Sequence, residues 1–454
     1  MSNLSLTERI QQGFKENLEE EKLLDCMRCG FCLPACPTYI HLNYDETQSP
    51  RGRLAIMKAV RDGDVPFDDS VEESLDLCLG CRACEPACPA GVEYGHLLEN
   101  ARDVIQQERK STLKEKTARK VAFDYLFQEP DKMSKTVGLV RFYQRSGMQT
   151  LTRKMKILSF FPDILGGMEK VLPPIEKDRN VRGRVYQPVT KTTKVAFFTG
   201  CLMETVFSKT NDATVKVLQK LGCEVWIPED QFCCGALHGH SGELEKAKQN
   251  ARRNLDSFFA RDVDYIVNNA GGCGAFLSEY EHLLKDEPEY LEKAKLFSKK
   301  TIDITSFIHK LGITELPLRN TNGEKLMVTY QDSCHLRNVN HVIKEPREIL
   351  QSIENVEYLE LEGADQCCGS AGIYNLIHSE MSMKILDNRM DNVKKSGTHI
   401  IITTNPGCLL QMKLGIERAG LSDKIEALHI IDFIYDYLLR DQIIGGNLIE
   451  EEVY

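Results

Sequence analysis

Eight of the seventeen cysteines in this 454-residue chain repeat one spacing twice. The two runs are Cys26-x2-Cys29-x2-Cys32-x3-Cys36-Pro37 and Cys78-x2-Cys81-x2-Cys84-x3-Cys88-Pro89. Proteins with two [4Fe–4S] cubanes use this spacing, in which three thiolates hold one cubane and the fourth, before proline, reaches the other. We therefore predict cluster I on Cys26, Cys29, Cys32 and Cys88. Cluster II is predicted on Cys78, Cys81, Cys84 and Cys36.

A pair of zinc sites is the alternative interpretation, because paired Cys-x2-Cys motifs also bind zinc. Two complete copies, each ending in Cys-Pro, favour the cubanes. The sequence therefore predicts a protein that transfers electrons.

The composition limits the partners and the compartment. A net charge of −10 argues against nucleic acid as the main partner. The sequence has no apolar run of about 18 residues, so we expect no transmembrane segment. The polar N-terminus lacks the apolar core of a secretory signal. Seventeen cysteines without export indicate metal ligation in the cytoplasm or at the inner face of the membrane.

A chain of this length is too long for one core and is expected to form two to four domains, and its motifs divide it into four regions. Residues 1–108 are predicted to form an all-helical ferredoxin domain, with a helix starting at Pro50 and another over 92–107. Residues 109–190 read as a basic helical linker in which aromatic residues are interleaved. Its favoured role is packing against its neighbours or a partner subunit. Peripheral membrane association is the main alternative.

The remaining residues form an internal repeat, with copies at 191–320 and 321–454. Cys233-Cys234-Gly235 matches Cys367-Cys368-Gly369 in the second copy. Short β-branched runs predict parallel strands near 194–199, 223–227 and 263–268, and again near 325–330, 356–361 and 398–403. The repeated cysteines follow strand ends, where open α/β sheets build their sites.

Each copy could therefore gather four thiolates at one edge of its sheet. The possible third site consists of Cys201, Cys233, Cys234 and Cys273, and the possible fourth of Cys334, Cys367, Cys368 and Cys408. Thiolates of this kind select iron–sulfur clusters or zinc. Supporting roles are favoured over ligation for the nearby His238, His240 and His335. Cys223 has no counterpart in the second copy and reads as a structural thiol.

The sequence offers no catalytic residues and no nucleotide-binding motif of its own. A Gly-x-Gly-x-x-Gly turn after a first strand, a Walker A run and a nucleophile elbow are all missing from it. A carrier with clusters but no hydride-handling cofactor needs a partner that oxidises the substrate.

Together these motifs resemble the iron–sulfur subunit of glycolate oxidase (glycolate dehydrogenase) over nearly the whole chain. The resemblance includes Ser49-Pro50-Arg51-Gly52-Arg53 and Cys367-Cys368-Gly369-Ser370-Ala371-Gly372. It implies two tandem cysteine-rich (CCG) α/β domains. It also implies partner flavoprotein (FAD) subunits that oxidise glycolate to glyoxylate, and transfer of the electrons to a quinone or another carrier.

The repeats are also similar to those of heterodisulfide reductase, lactate-utilisation and anaerobic glycerol-3-phosphate dehydrogenase subunits. Thiol–disulfide reduction, or service to a lactate or glycerol-3-phosphate dehydrogenase, is therefore the alternative function. The fuller pattern of that superfamily ends in Cys-x2-Cys, but here Ala270 and Asn405 replace its first cysteine. An ordinary cluster, a zinc ion or an empty site is thus expected rather than a noncubane cluster.

Overall fold

The computed structural model describes residues 4–155, 157, 163–176, 181–188, 190, 193–320, 325–436 and 449–452. The N-terminal region is built from helices. They are α1 (Leu6–Asn17), α2 (Glu20–Leu24), α3 (Pro37–His41), α4 (Pro50–Asp62), α5 (Asp69–Asp76) and α6 (Tyr94–Glu108), with a 3-10 turn at Glu46–Gln48.

The N-terminal helices have clear start and stop signals. The Ser49 side chain caps α4 by accepting a hydrogen bond from the Gly52 amide, and Pro50 occupies the first turn. The helix ends at Gly63, whose φ of 86° lies in the left-handed region that glycine favours. The predicted helix start at Pro50 is confirmed, and the helix predicted over 92–107 runs over 94–108. The apolar faces of α1, α4 and α6 pack into one core.

The basic segment also forms helices, which lead to the repeats. They are α7 (Leu113–Arg119), a π-helical stretch at Lys120–Leu126, α8 (Pro130–Arg145), α9 (Met148–Lys154) and α10 (Asp163–Val171). Among the described residues, no helix is long and apolar enough to cross a membrane.

The described part of the chain contains ten strands. They are β1 (Arg184–Gln187), β2 (Thr193–Phe198), β3 (Cys223–Ile227), β4 (Tyr265–Asn268), β5 (Thr301–Asp303), β6 (Leu326–Tyr330), β7 (Val356–Tyr358), β8 (Ile400–Thr403), β9 (Glu426–His429) and β10 (Ile449–Glu452). The first sheet has the order β10-β1-β3-β2-β4-β5, and the second has the order β7-β6-β8-β9.

Helices connect and cover these strands. In the first copy they are α11 (Cys201–Thr205), α12 (Ser208–Lys220), α13 (Ala236–His240), α14 (Leu244–Phe258), α15 (Gly271–Ser278), α16 (Tyr280–Leu283), α17 (Pro288–Lys300) and α18 (Ile304–Lys310). In the second copy they are α19 (Cys334–Asn338), α20 (Glu345–Gln351), α21 (Tyr374–Ile377), α22 (Ser379–Ser396), α23 (Pro406–Arg418) and α24 (Ile430–Ile434). A second 3-10 turn spans Ile313–Glu315.

The six predicted strands are confirmed, but the first sheet differs from the expectation in the direction of its strands and in the residue at which it begins. The second sheet is parallel throughout, whereas the first is mixed, because β1 pairs antiparallel with β3 and β10. The first sheet therefore begins at Arg184, before the predicted boundary at 191. That boundary, and the one near 321, fall beside residues outside the described ranges.

The two copies interlock where α15 meets the loop before α23. The Gly271 amide donates to the Thr404 carbonyl at 3.0 Å, and the Gly272 amide donates to Asn405 Oδ1 at 3.0 Å. A Cβ on Gly271 would lie 2.6 Å from Ser333 Oγ, so only glycine permits this close approach. The cysteine-bearing loops of both copies therefore meet.

Candidate metal centres

The structure brings together the four cysteines predicted for cluster I. Cys26, Cys29, Cys32 and Cys88 line one cavity that opens to the surface, and Arg51 also lines it. Cys88 comes from the second ligand run, so the expected crossover of the fourth cysteine occurs here. Four thiols that line a single cavity fit a cubane, which needs one thiolate at each of four irons.

Both ligand runs use the same two backbone turns. In each run the residues before and after the second cysteine have positive φ: Arg28 (56°) and Gly30 (89°), then Gly80 (62°) and Arg82 (58°). A left-handed residue costs about 1–2 kcal/mol unless it is glycine, and each run has one glycine and one arginine at these positions. The repeated conformation curls each run into a loop.

The cysteines predicted for cluster II are also neighbours. The Cys84 thiol interacts electrostatically with Cys81, Cys78 and Cys36, and together with its burial these neighbours raise its pKa. Two groups donate to the Cys78 sulfur: the Gly80 amide at 3.4 Å and the Tyr94 hydroxyl at 3.5 Å. Hydrogen bonds of this kind stabilise negative charge on a cluster and raise its reduction potential.

Arg53 places a fully buried positive charge beside this second set of cysteines. Its Nε donates to the Ser74 carbonyl at 2.7 Å, Nη1 to Thr38 Oγ1 at 3.0 Å, and Nη2 to Gln48 Oε1 at 2.8 Å. Burial opposes ionisation of Cys78, but Arg53 and Arg102 outweigh it and lower the pKa of that thiol.

The Ser-Pro-Arg-Gly-Arg turn thus starts a helix and also supplies charge to both predicted clusters. Arg51 Nη1 donates to the Arg28 carbonyl at 2.8 Å, inside the first ligand run. A Cβ on Gly52 would lie only 1.9 Å from the Glu46 carbonyl oxygen, so the turn requires glycine there.

The two sets of cysteines differ in exposure. Cys29 is exposed, and its neighbours Met27 and Phe31 each have 67% of their surface accessible. Cys78 and Cys81 are buried. Cluster I would therefore lie at the protein surface, and cluster II beneath it.

In the first repeat, the four cysteines follow the ends of strands β2, β3 and β4. Cys201 Sγ lies 3.9 Å from Cys233 Sγ. The Cys233 thiol contacts that of Cys234, which in turn contacts that of Cys273. The contact with Cys233 lowers the pKa of Cys234, but the contact with Cys273 and burial outweigh it and raise that pKa. The fold thus gathers the residues of the possible third site into a row of thiols.

The second repeat has the same row, from Cys334 through Cys367 and Cys368 to Cys408. The Gly369 amide donates to Cys367 Sγ at 3.5 Å, and Asn405 Nδ2 donates to Cys408 Sγ at 3.5 Å. Asn405, which replaces the superfamily's cysteine, is thus a polar neighbour of the sulfur. Among the described residues, no three His, Cys, Asp or Glu side chains converge closely enough to hold a metal ion as they stand, so these cysteines are neighbours that do not form a closed ligand set.

The possible fourth site lies directly against the second ligand run. Cys81 and Cys367 belong to one small core, into which Cys334 also packs. Asn338 Nδ2 donates to the Cys81 carbonyl at 2.9 Å, and the His335 ring bonds the Gly80 carbonyl at 2.9 Å. In the first repeat, Cys273 instead packs against the core that contains Cys368 and Cys408.

The other residues that the sequence singled out have supporting contacts. The buried His238 ring bonds the Phe123 carbonyl at 3.0 Å, and His240 Nδ1 lies 2.6 Å from Glu99 Oε1. Burial lowers the pKa of His335 to about 4. Cys223 is buried in the strand core, and burial raises its pKa to about 12.

One group of charged residues at the contact between the N-terminal region and the first repeat was not predicted. Arg82 Nη1 lies 2.6 Å from Glu279 Oε1, and His96 Nε2 lies 3.0 Å from the same oxygen. The His96 ring stacks on His282 with 3.6 Å between the ring centroids. Nothing in local spacing relates residues almost 200 positions apart. In the structure, Arg82 is also unusual in having a positive φ, next to Cys81.

Family models match the chain in the order of these structural parts. Residues 22–92 match the 4Fe-4S dicluster domain, and residues 114–172 match the linker region of the glycolate oxidase iron-sulfur subunit. Residues 195–278 and 328–413 each match the cysteine-rich domain. A dicluster domain followed by two cysteine-rich domains with parallel strands defines the class, a multidomain iron–sulfur protein.

Within that class, the chain belongs to the family of glycolate oxidase iron-sulfur subunits. It is 54% identical over 433 residues to the probable glycolate oxidase iron-sulfur subunit of Bacillus subtilis strain 168, spanning 94% of this chain and 97% of that protein. The glycolate oxidase iron-sulfur subunit of Escherichia coli K12 is 30% identical over 89% of this chain and 93% of its own. Lactate utilization protein A of Bacillus subtilis is 33% identical but covers 53% of this chain. The resemblance noted from the sequence is confirmed.

Proposed function

We propose that this chain is the electron-transfer subunit of a flavin-dependent glycolate oxidase. Partner flavoprotein (FAD) subunits remove two electrons and two protons from glycolate to give glyoxylate, and this chain accepts the electrons one at a time. The cavity lined by Cys26, Cys29, Cys32 and Cys88 is the observation that carries the proposal. The bound cubanes supply the one-electron chemistry.

Cys26, Cys29, Cys32 and Cys88 would hold the cluster that receives electrons from the partner. Cys78, Cys81, Cys84 and Cys36 would hold the cluster that passes them on. The exposure of Cys29 supports this order, because a partner can approach the first set at the surface. The second set adjoins the second repeat, since Cys81 packs with Cys367. The second repeat, rather than the first, would therefore receive the electrons next. A quinone or another carrier accepts the electrons at the end.

The two rows of thiols in the repeats hold further iron–sulfur clusters. Four thiols in a row suit an extended cluster better than a single zinc ion, which needs its ligands arranged around one point. Amide donors to Cys367 and Cys408 support the same choice.

The proposed organisation keeps an all-helical ferredoxin domain (1–108), a basic linker (109–190) and two cysteine-rich domains (191–320 and 321–454). It needs one change, because β1 (Arg184–Gln187) and β10 (Ile449–Glu452) both join the sheet of the first cysteine-rich domain. The chain works in the cytoplasm or at the inner face of the membrane, where it would meet both its flavoprotein partners and its acceptor.

Serine substitution of Cys29 or Cys81 tests the relay. Each change should abolish reduction of the terminal acceptor by the assembled complex, whereas the flavoprotein should still reduce an artificial dye with glycolate. Cys223→Ala is the matched control, because this thiol lies in the strand core, away from the proposed sites. Acceptor reduction that survives both serine changes would refute the relay. Fewer than about six irons per chain would refute two cubanes, which need four each.

Thiol–disulfide reduction is a second candidate, favoured by one observation. The Cys201 and Cys233 sulfurs lie 3.9 Å apart, so a modest movement could join them. Disulfide reduction by the chain with a chemical electron donor in place of its flavoprotein partners, lost in Cys201→Ser and in Cys368→Ser, would support this activity. No such turnover is expected from an electron relay.

A further inference from the structure

An exposed face on helices α8 and α9 combines apolar and basic side chains. Leu139, Phe142 and Leu151 expose 71%, 63% and 57% of their surfaces. When large apolar side chains this exposed occur together, they indicate a surface that binds another protein or a membrane. Lys135 and Arg145 lie on the same exposed side of α8, at spacings of three or four residues from Leu139 and Phe142.

The rest of α8 is fixed to the body of the protein, which gives this face a defined direction. Met133 is buried on the opposite side. Gln144 Nε2 donates to the Pro173 carbonyl at 3.1 Å, and Gln144 Oε1 accepts from the Ile175 amide at 2.8 Å. The face that carries Leu139 and Phe142 is therefore held outward.

The charge of this segment is opposite to that of the whole chain. Residues 110–156 contain twelve Lys and Arg but four Asp and Glu, whereas the chain carries a net charge of −10. Arg119 pairs with Glu243 and Arg153 pairs with Glu169, so these two arginines have a structural role. Lys135, Arg145 and Lys154 are exposed, and each lies three or four residues from an exposed apolar side chain on its own helix.

We propose that this face, formed by Lys135, Leu139, Phe142, Arg145, Leu151 and Lys154, docks the protein on an anionic phospholipid bilayer. Helices that lie in a membrane surface bury apolar side chains at the acyl boundary and place Lys and Arg among the headgroups. The concentration of positive charge on one face of an acidic protein makes anionic lipid the complementary partner. The proposal rests on the proposed function, because docking would bring the relay to a membrane acceptor.

Vesicle binding by the full chain with its clusters assembled tests this surface. We expect flotation with vesicles of phosphatidylcholine and phosphatidylglycerol, but not with phosphatidylcholine alone. Each basic residue near an anionic surface contributes about fivefold to binding. The triple variant Lys135→Gln, Arg145→Gln, Lys154→Gln should therefore bind about a hundredfold more weakly.

A matched variant controls for the loss of charge. Lys220→Gln, Lys299→Gln and Lys424→Gln remove three exposed lysines of the repeats, and this variant should bind within about threefold of the unaltered chain. A second variant, Leu139→Ser with Phe142→Ser, should also lose binding although its charge is unchanged. Leu296→Ser, at another exposed leucine, serves as its control.

Two results would overturn the docking surface. One is binding of the triple variant to anionic vesicles as tightly as the unaltered chain. The other is loss of assembly with the flavoprotein subunits in the triple variant while vesicle binding persists, which would make this face a protein interface.

Reduction of the clusters by glycolate and the flavoprotein is measured in the same samples without lipid. If the unaltered chain does not float with anionic vesicles but its clusters are reduced, the docking surface is refuted and the electron relay is not. A chain that floats but whose clusters stay oxidised refutes the electron relay instead.

Discussion

Replacing Arg53 with glutamine removes the buried positive charge beside cluster II, and we expect the reduction potential of that cluster to fall. The guanidinium is fully buried and interacts with both Cys36 and Cys78. A reduced cluster carries one more negative charge than an oxidised one, so the arginine favours reduction. Removing the arginine should therefore make reduction of the cluster less favourable.

The size of the effect follows from Coulomb's law. At roughly 7 Å and an effective dielectric constant of about 20, one charge pair interacts by about 2.4 kcal/mol. For a one-electron couple this energy corresponds to a shift of about 100 mV in the reduction potential, since 59 mV corresponds to a tenfold change in the equilibrium constant. Arg53→Lys keeps the charge and should shift the potential by less than about 30 mV.

The assay is an anaerobic redox titration followed by electron paramagnetic resonance, with iron content measured on the same samples. Glutamine can still donate one of the three hydrogen bonds of Arg53, so stability should fall by about 2–4 kcal/mol. Arg319→Gln, at an exposed surface arginine, is the control for charge. A potential within about 20 mV of the unaltered protein, with full iron content, would refute the electrostatic argument.

Three further predictions concern the surroundings of the clusters. Although burial opposes ionisation, His96 and Arg82 hold the pKa of Glu279 at about 2. Because this carboxylate has a lowered pKa when folded, its contribution is present above pH about 4.5 and is lost as the pH falls toward 2. Glu279→Gln should lower the free energy of unfolding by about 3 kcal/mol at pH 7, and by less at pH 3, in urea titrations followed by circular dichroism. An equal loss at both pH values would contradict the linkage. Cys334→Ser should change the spectrum and reduction potential of cluster II, because Cys334 packs beside Cys81. Cys201→Ser, in the first repeat, should leave both unchanged. Equal effects of the two substitutions would contradict the expectation that the thiols of the second repeat alone adjoin cluster II. Gly52→Ala should destabilise the protein by about 1–3 kcal/mol, since its Cβ meets the Glu46 carbonyl, while Gly138→Ala, at a helical glycine with open space around it, should not. Equal melting temperatures for the two alanine variants would show that the turn can relax.

Much of the fold could be predicted because its signals are local. The β-branched runs gave the six central strands, and Ser49-Pro50 gave the start of α4. The short strands β1, β5, β9 and β10 were missed. A strand of three or four residues carries too little periodicity to be distinguished from a loop, and the antiparallel β1–β10 pair joins residues more than 250 positions apart.

The site was predicted to a similar extent. The sixteen repeated cysteines were recognised by spacing, and the structure gathers them as four neighbouring groups. The asymmetry between the repeats was not predictable, because both copies carry the same motif. Asn338 and His335 of the second copy bond the backbone of Cys81 and Gly80, whereas the first copy reaches this loop through the Glu279 side chain, which pairs with Arg82. Such contacts depend on how the domains pack.

The sequence by itself determined the chemistry of this protein. Thiolate spacing is a local property of the chain, and it is enough to predict cubane ligands, the crossover of Cys36 and Cys88, and a duplicated α/β unit. Only the tertiary structure decided which predicted cluster lies at the surface, which lies beneath it, and which repeat adjoins it. Burial and distance between remote residues depend on long-range packing of helices and sheets, and no single segment of the sequence encodes that packing.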